Sequence, residues 1–134
     1  RKLRLENIAS KFINQLSIDS GFSGVSLGER IYCVKNEDGR FSAGIFIYAS
    51  SPGTDGTLGG LTSLVNSDIL PIIVKKTLRK ITSCSNDPIC STSKINNQKR
   101  TGAACHVCLM NSETSCAYLN KFLDRNLVRG TLHG

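Results

Sequence analysis

The sequence predicts an α+β domain: a small antiparallel sheet or hairpin packed by about four helices, with clustered cysteines stapling the C-terminal half. Three observations predict it. Apolar residues recur at helical spacing in separated stretches near residues 3–20 and 69–81. Between those stretches an Asp-Gly turn joins two runs of β-forming residues. Five of the six cysteines fall within the 33 residues from Cys84 to Cys116.

The first helix is expected over residues 3–20. Leu5, Ile8, Ala9, Phe12, Ile13 and Leu16 make its apolar stripe, with Arg1, Lys2, Arg4, Lys11 and Gln15 off it and Gly21 as its stop. A short strand reaches Val34. Asn36-Glu37-Asp38-Gly39 turns the chain, and Phe41–Tyr48 reads as a strand apolar enough to be buried. Cys33 sits in the first strand, away from the other thiols, and is assigned to core packing. The segment from Ala49 to Leu61 is a glycine-rich crossing from strand to helix. Glycines there allow close backbone packing. The same geometry can aim backbone N–H groups at a phosphate, which makes Gly53, Thr54 and Gly56 candidate nucleic-acid contacts. It is neither a Walker A loop nor a dinucleotide fingerprint, and Asp55 has no evident catalytic partner.

A short helix is expected over 60–66 and another from an N-cap at Ser67 or Asp68, with Pro71 in its first turn. Ile69, Leu70, Ile73, Thr77, Leu78 and Ile81 form its apolar face. Lys75, Lys76, Arg79 and Lys80 cluster outward and suit the negative end of the helix dipole. They are the best single basic patch for nucleic acid, although such a cluster also serves as a plain solvated face. Residues 91–102 read as a polar loop. A last helix, capped by Ser112 or Ser115, is expected to bury Leu119, Phe122, Leu123 and Leu127 and to end at Gly130. Asp124 and Arg125 are placed to hold it to the cysteine loop.

The cysteine chemistry organises the rest. Zinc takes thiolate and imidazole ligands in a tetrahedron, and four of them close the shell to reactants. Cys105-x-x-Cys108 lets one tight turn present two sulfurs, and the Asn86-Asp87-Pro88 turn folds Cys84 and Cys90 toward each other. Cys84, Cys90, Cys105 and Cys108 are the expected ligands of one structural Zn²⁺. Cys116 is the substitute, and His106, inside the C-x-x-C turn, is the weakest candidate. A disulfide framework and buried free thiols are the alternatives.

The 134 residues suit one domain, 1–134, and a start at Arg1 suggests a piece of a longer chain. No run of 18 apolar residues points to a membrane span, and no secretory pattern opens the chain. A reducing, cytoplasmic setting is therefore expected. The net charge of +7 favours a polyanionic partner. With two histidines and no H-x-E or H-E-x-x-H motif, no catalytic site is expected.

Three stretches also carry a resemblance. They are Gly28-Glu29-Arg30-Ile31-Tyr32; Ile47 to Leu61; and the run through Cys84, Asp87-Pro88-Ile89-Cys90, Gly102 to Cys108, Glu113 to Cys116, Asn120 and Leu123-Asp124-Arg125. Together they resemble the zinc-binding domain at the C-terminus of mitomycin-repair-type (MrfA-like) superfamily 2 DNA helicases, which also forms part of the B subunit of the DISARM anti-phage system. Ser112 departs from the proline usual before Glu-Thr-Ser-Cys. The resemblance implies a four-cysteine zinc site in a domain without ATPase motors of its own. It implies a helicase motor as partner, in cis or in trans. It also implies help in engaging the DNA strand, and a domain of this charge would bind DNA weakly and in a salt-sensitive way. The competing expectation is a zinc-stabilised docking module for a motor subunit, with an exposed apolar patch and little DNA binding.

Overall fold

A computed structural model describes residues 2–20, 26–50, 58–64, 68–113 and 115–132. Helix α1 (Lys2–Ser20) is its axis. Ala9, Ile13 and Leu16 are buried, as the apolar stripe requires. The helix also buries Glu6, Asn7, Ser10 and Gln15, which lie off that stripe. The reason is packing on more than one side: α1 lies against the hairpin and against helices α3 (Leu70–Lys80) and α5 (Asn126–Leu132). An amphipathic pattern describes a helix with one buried face, and α1 has more than one.

Strands β1 (Leu27–Lys35) and β2 (Phe41–Ala49) form the expected antiparallel hairpin, in register from Leu27 opposite Ala49 to Lys35 opposite Phe41. Gly39 takes φ 79° in the turn, a conformation that suits glycine. The expectation that Phe41–Tyr48 is buried is corrected. Leu27 and Glu29 turn inward, but Tyr32, Val34, Phe46 and Tyr48 share the outer face and are exposed. Only one face of the hairpin is covered by helix, and side chains alternate between faces.

Helix α2 spans Leu58–Leu64, slightly earlier than expected. Residues 51–57, with Gly53, Thr54, Asp55 and Gly56, lie outside the described residues, as does Ser67. Helix α3 (Leu70–Lys80) carries Pro71 in its first turn, but its N-cap is Ile69, without a side-chain cap bond, instead of Ser67 or Asp68. Ile73, Thr77 and Ile81 are buried, whereas Ile69 faces solvent. A four-residue helix, α4 (Ile89–Thr92), follows a cis Asp87–Pro88 bond.

The helix expected from Ser112 or Ser115 to Gly130 is the largest correction. The chain makes successive turns there, and α5 spans only Asn126–Leu132, running on past Gly130. Leu119, Asn120 and Phe122 take φ of 52°, 59° and 64°, which no right-handed helix accommodates. Of the expected stripe only Leu123 is buried; Leu119, Phe122 and Leu127 are exposed. Asn120 is what holds the turns. Its Nδ2 donates to the Asn111 carbonyl (2.7 Å), and its Oδ1 accepts from the Asn111 N–H (3.0 Å).

Two buried clusters result. One joins Ile13, Leu16, Leu27 and Ile73. The other gathers Ile81, Cys90, Ala104, Cys108, Leu109, Leu123 and Val128, with Cys84 and Cys105 against it. The second cluster ties α5, through Val128, to the cysteine-bearing turns.

Candidate metal centre

Four thiols converge beside the second cluster. Cys84 leaves the segment after α3, and Cys90 sits in α4. Cys105 and Cys108 flank a tight turn in which the Cys108 and Leu109 N–H groups both donate to the Cys105 carbonyl (3.1 and 2.9 Å). On the other side the Cys90 N–H donates to the Asn86 carbonyl (2.9 Å), closing the Asn86-Asp87-Pro88 turn. The sulfurs of Cys84, Cys90, Cys105 and Cys108 all lie within 4.8 Å of one another. The Cys84–Cys105, Cys105–Cys108 and Cys90–Cys108 Sγ separations are 3.6, 3.7 and 3.8 Å. A tetrahedron with Zn–S bonds of about 2.3 Å has S–S edges of about 3.8 Å, so the four atoms fit one zinc ion. All six cysteines are free, so no disulfide framework is present.

N–H donors reach three of the four sulfurs. The Asn86 N–H donates to Cys84 Sγ (3.4 Å), Asn86 Nδ2 to Cys105 Sγ (3.6 Å), and the Cys105 N–H to Cys108 Sγ (3.3 Å). Burial pushes the Cys105 thiol up, but the Cys108 and Val107 N–H groups and Cys84 outweigh it and bring it down to about 6. Burial pushes Cys90 and Cys108 upward. A zinc ion with four thiolates carries a net charge of −2, and two cations stand beside the site. Lys11 of α1 donates from Nζ to the Cys108 carbonyl (2.7 Å). Fully buried Arg125 donates to Asp87 and to the Thr82 carbonyl (3.2 Å). Asp87 in turn accepts from the Cys84 N–H (3.1 Å). Asp124 accepts from the Ala103 N–H (3.3 Å). Asp124 and Arg125 thus hold the cysteine turns as expected, but from a turn instead of a helix. Lys11 was not legible as part of the site, because 97 residues separate it from its partner.

Other candidate residues fall elsewhere. Cys116 is outside the four-thiol group, bonded to Glu6 instead. His106 is exposed in the turn and is not among the converging groups. Cys33 lies half-buried on β1. Lys75, Lys76, Arg79 and Lys80 are exposed together on α3, Lys76 pairing with Asp19 at 3.4 Å. Gly53, Thr54 and Gly56 are outside the described residues. Among the described residues, no helix is long and apolar enough to cross a membrane.

The model of one protein family, described as the MrfA Zn-binding domain, matches residues 8–109, a segment containing all four converging cysteines. The chain is also similar to a DISARM protein DrmB from Bacillus paralicheniformis, with 39% identity over 129 residues. That alignment covers 96% of this chain and 22% of the relative, so the chain spans less than a quarter of the protein it matches.

Proposed function

The chain belongs to the MrfA Zn-binding domain family, with one structural zinc ion, and on that premise we propose that it is a non-catalytic DNA-handling module of a helicase-associated repair or anti-phage defence protein. Cys84, Cys90, Cys105 and Cys108 are its zinc ligands. They close the coordination shell, so the metal's role is to fold the domain. The cytoplasm, where thiols stay reduced, is the setting that suits such a site.

The observation that carries the DNA reading is helix α3. It exposes Lys75, Lys76, Arg79 and Lys80 and leads directly to Cys84. A zinc clamp at its C-terminal end would hold this basic surface at a fixed angle to the rest of a translocating machine. Such binding is weak, follows the phosphate backbone and falls with salt. The test is charge reversal at all four positions in the parent protein, with binding to single-stranded DNA measured across a salt series. Each lost phosphate contact reduces the magnitude of the negative slope of log K against log salt by about 0.7 on single-stranded DNA. Unchanged affinity and slope would remove the reading.

The same helix favours a second reading, docking of a motor subunit. An open, largely apolar groove lies along α3, lined by Leu70, Pro71, Val74 and Leu78 next to Lys75 and Arg79. Val74→Gln, which adds no charge beside Lys75 and Arg79, would then release the motor subunit in a pull-down and leave DNA binding untouched.

A further inference from the structure

A second group of metal-ligating side chains lies apart from the four thiols, sharing no residue with them. Glu6 of α1, Glu29 of β1 and Cys116 of the 115–125 turns are 0%, 3% and 3% exposed. One ligand atom from each lies within 4.8 Å of the other two. Cys116 Sγ donates to Glu6 Oε1 (3.0 Å). The Asn120 N–H donates to Cys116 Sγ (3.2 Å), and the Ala117 N–H to Glu29 Oε1 (3.4 Å), so backbone donors already orient two of the three groups. The other oxygen of each carboxylate is different. Glu6 Oε2 and Glu29 Oε2 are both buried and unsatisfied among the described residues unless the two carboxyls share a proton between them. Neither carboxylate is in an ion pair there either.

Two carboxylates removed from water without a cation cost several kcal/mol each. The site therefore demands positive charge. Burial and the neighbouring Glu6 push Glu29 up to about 8, and burial with the Glu6 bond pushes Cys116 up to about 12. Either protons or a metal ion can meet that demand. The donor set favours a particular class of metal. Two carboxylate oxygens with one thiolate suit a borderline divalent ion such as Zn²⁺, whereas Mg²⁺ and Ca²⁺ take oxygen ligands throughout.

We propose that Glu6, Glu29 and Cys116 form a second divalent-cation site that pins α1 to β1 and to the turns preceding α5. Binding displaces the Cys116 thiol proton and the proton held by the carboxyl pair to solvent, leaving two carboxylates and a thiolate on the ion. The group shares no residue with the four thiols, so the two sites can be loaded and counted separately.

The experiment loads the purified chain with zinc at neutral pH, removes excess by gel filtration and counts metal by elemental mass spectrometry. Two ions per chain are expected, falling to one in Glu29→Gln and in Cys116→Ser. One ion in the parent chain and in both variants would overturn the site and leave a carboxyl pair sharing a proton. A cobalt titration of the unaltered chain guards against variants that fail to fold. A second equivalent should add weak single-thiolate charge transfer after the intense four-thiolate bands saturate; saturation at one equivalent would overturn the proposal. The four-thiolate bands report on the first site separately, so failure of either site is distinguishable.

Discussion

Asn120→Ala should be among the most damaging neutral substitutions in this chain. Asn120 spans both backbone polar groups of Asn111, at 2.7 and 3.0 Å, and both residues are buried. Truncation strips the Asn111 N–H and C=O of their partners, at about 1–3 kcal/mol for each group left unsatisfied. Alanine must also take the φ of 59° found at this position, costing about 1–2 kcal/mol in the left-handed region. The sum is about 3–8 kcal/mol, a large fraction of a typical domain stability of about 5–15 kcal/mol. Asn120→Gly loses the same bonds but not the backbone term, so it should be the more stable of the two. The assay is urea unfolding of the zinc-loaded chain. With a slope of about 1–3 kcal/mol/M, Asn120→Ala should move the midpoint down by at least about 1 M. A midpoint within about 0.3 M of the parent, or a glycine variant no better than alanine, would refute the reasoning.

Two further outcomes follow from the packing around the thiols. Leu123→Ala removes a fully buried side chain from the cluster that holds Cys90 and Cys108 and should cost about 2–5 kcal/mol in the same unfolding assay while metal content stays unchanged. Lys11→Met removes the cation on the Cys108 carbonyl and should speed zinc transfer to a chromogenic chelator; an unchanged rate would show that Lys11 does not offset the charge of the site.

The elements read most directly from sequence are those set by local signals. The Asp38-Gly39 turn specified the hairpin, and Pro71 marked the first turn of α3. The thiol cluster was legible because the Cys105-x-x-Cys108 turn and the Asn86-Asp87-Pro88 turn each bring two sulfurs together locally, leaving only their meeting to tertiary structure. The failures share a long-range cause. Leu119, Phe122, Leu123 and Leu127 have helical spacing, yet Asn120 reaches back to Asn111 and overrides it. Nothing local marks Glu6 and Glu29 as buried; only the packing of α1 against β1 buries them with Cys116, 110 residues away from Glu6. The open outer face of the hairpin was likewise hidden. Composition marks Phe41–Tyr48 as apolar, but it does not count the layers that will cover a strand.

The proposed assignment of Cys84, Cys90, Cys105 and Cys108 as ligands of the structural zinc is open to experiment. Its most direct test is alkylation of the zinc-loaded chain before and after chelation, with each label mapped by mass spectrometry and metal counted in parallel. Ligation by these four cysteines predicts bound zinc and protection of all four thiols, including the half-exposed Cys84 and Cys105, with all four labelled once the metal is removed. A chain that retains no zinc, or in which Cys84 and Cys105 label equally fast in both states, would contradict it.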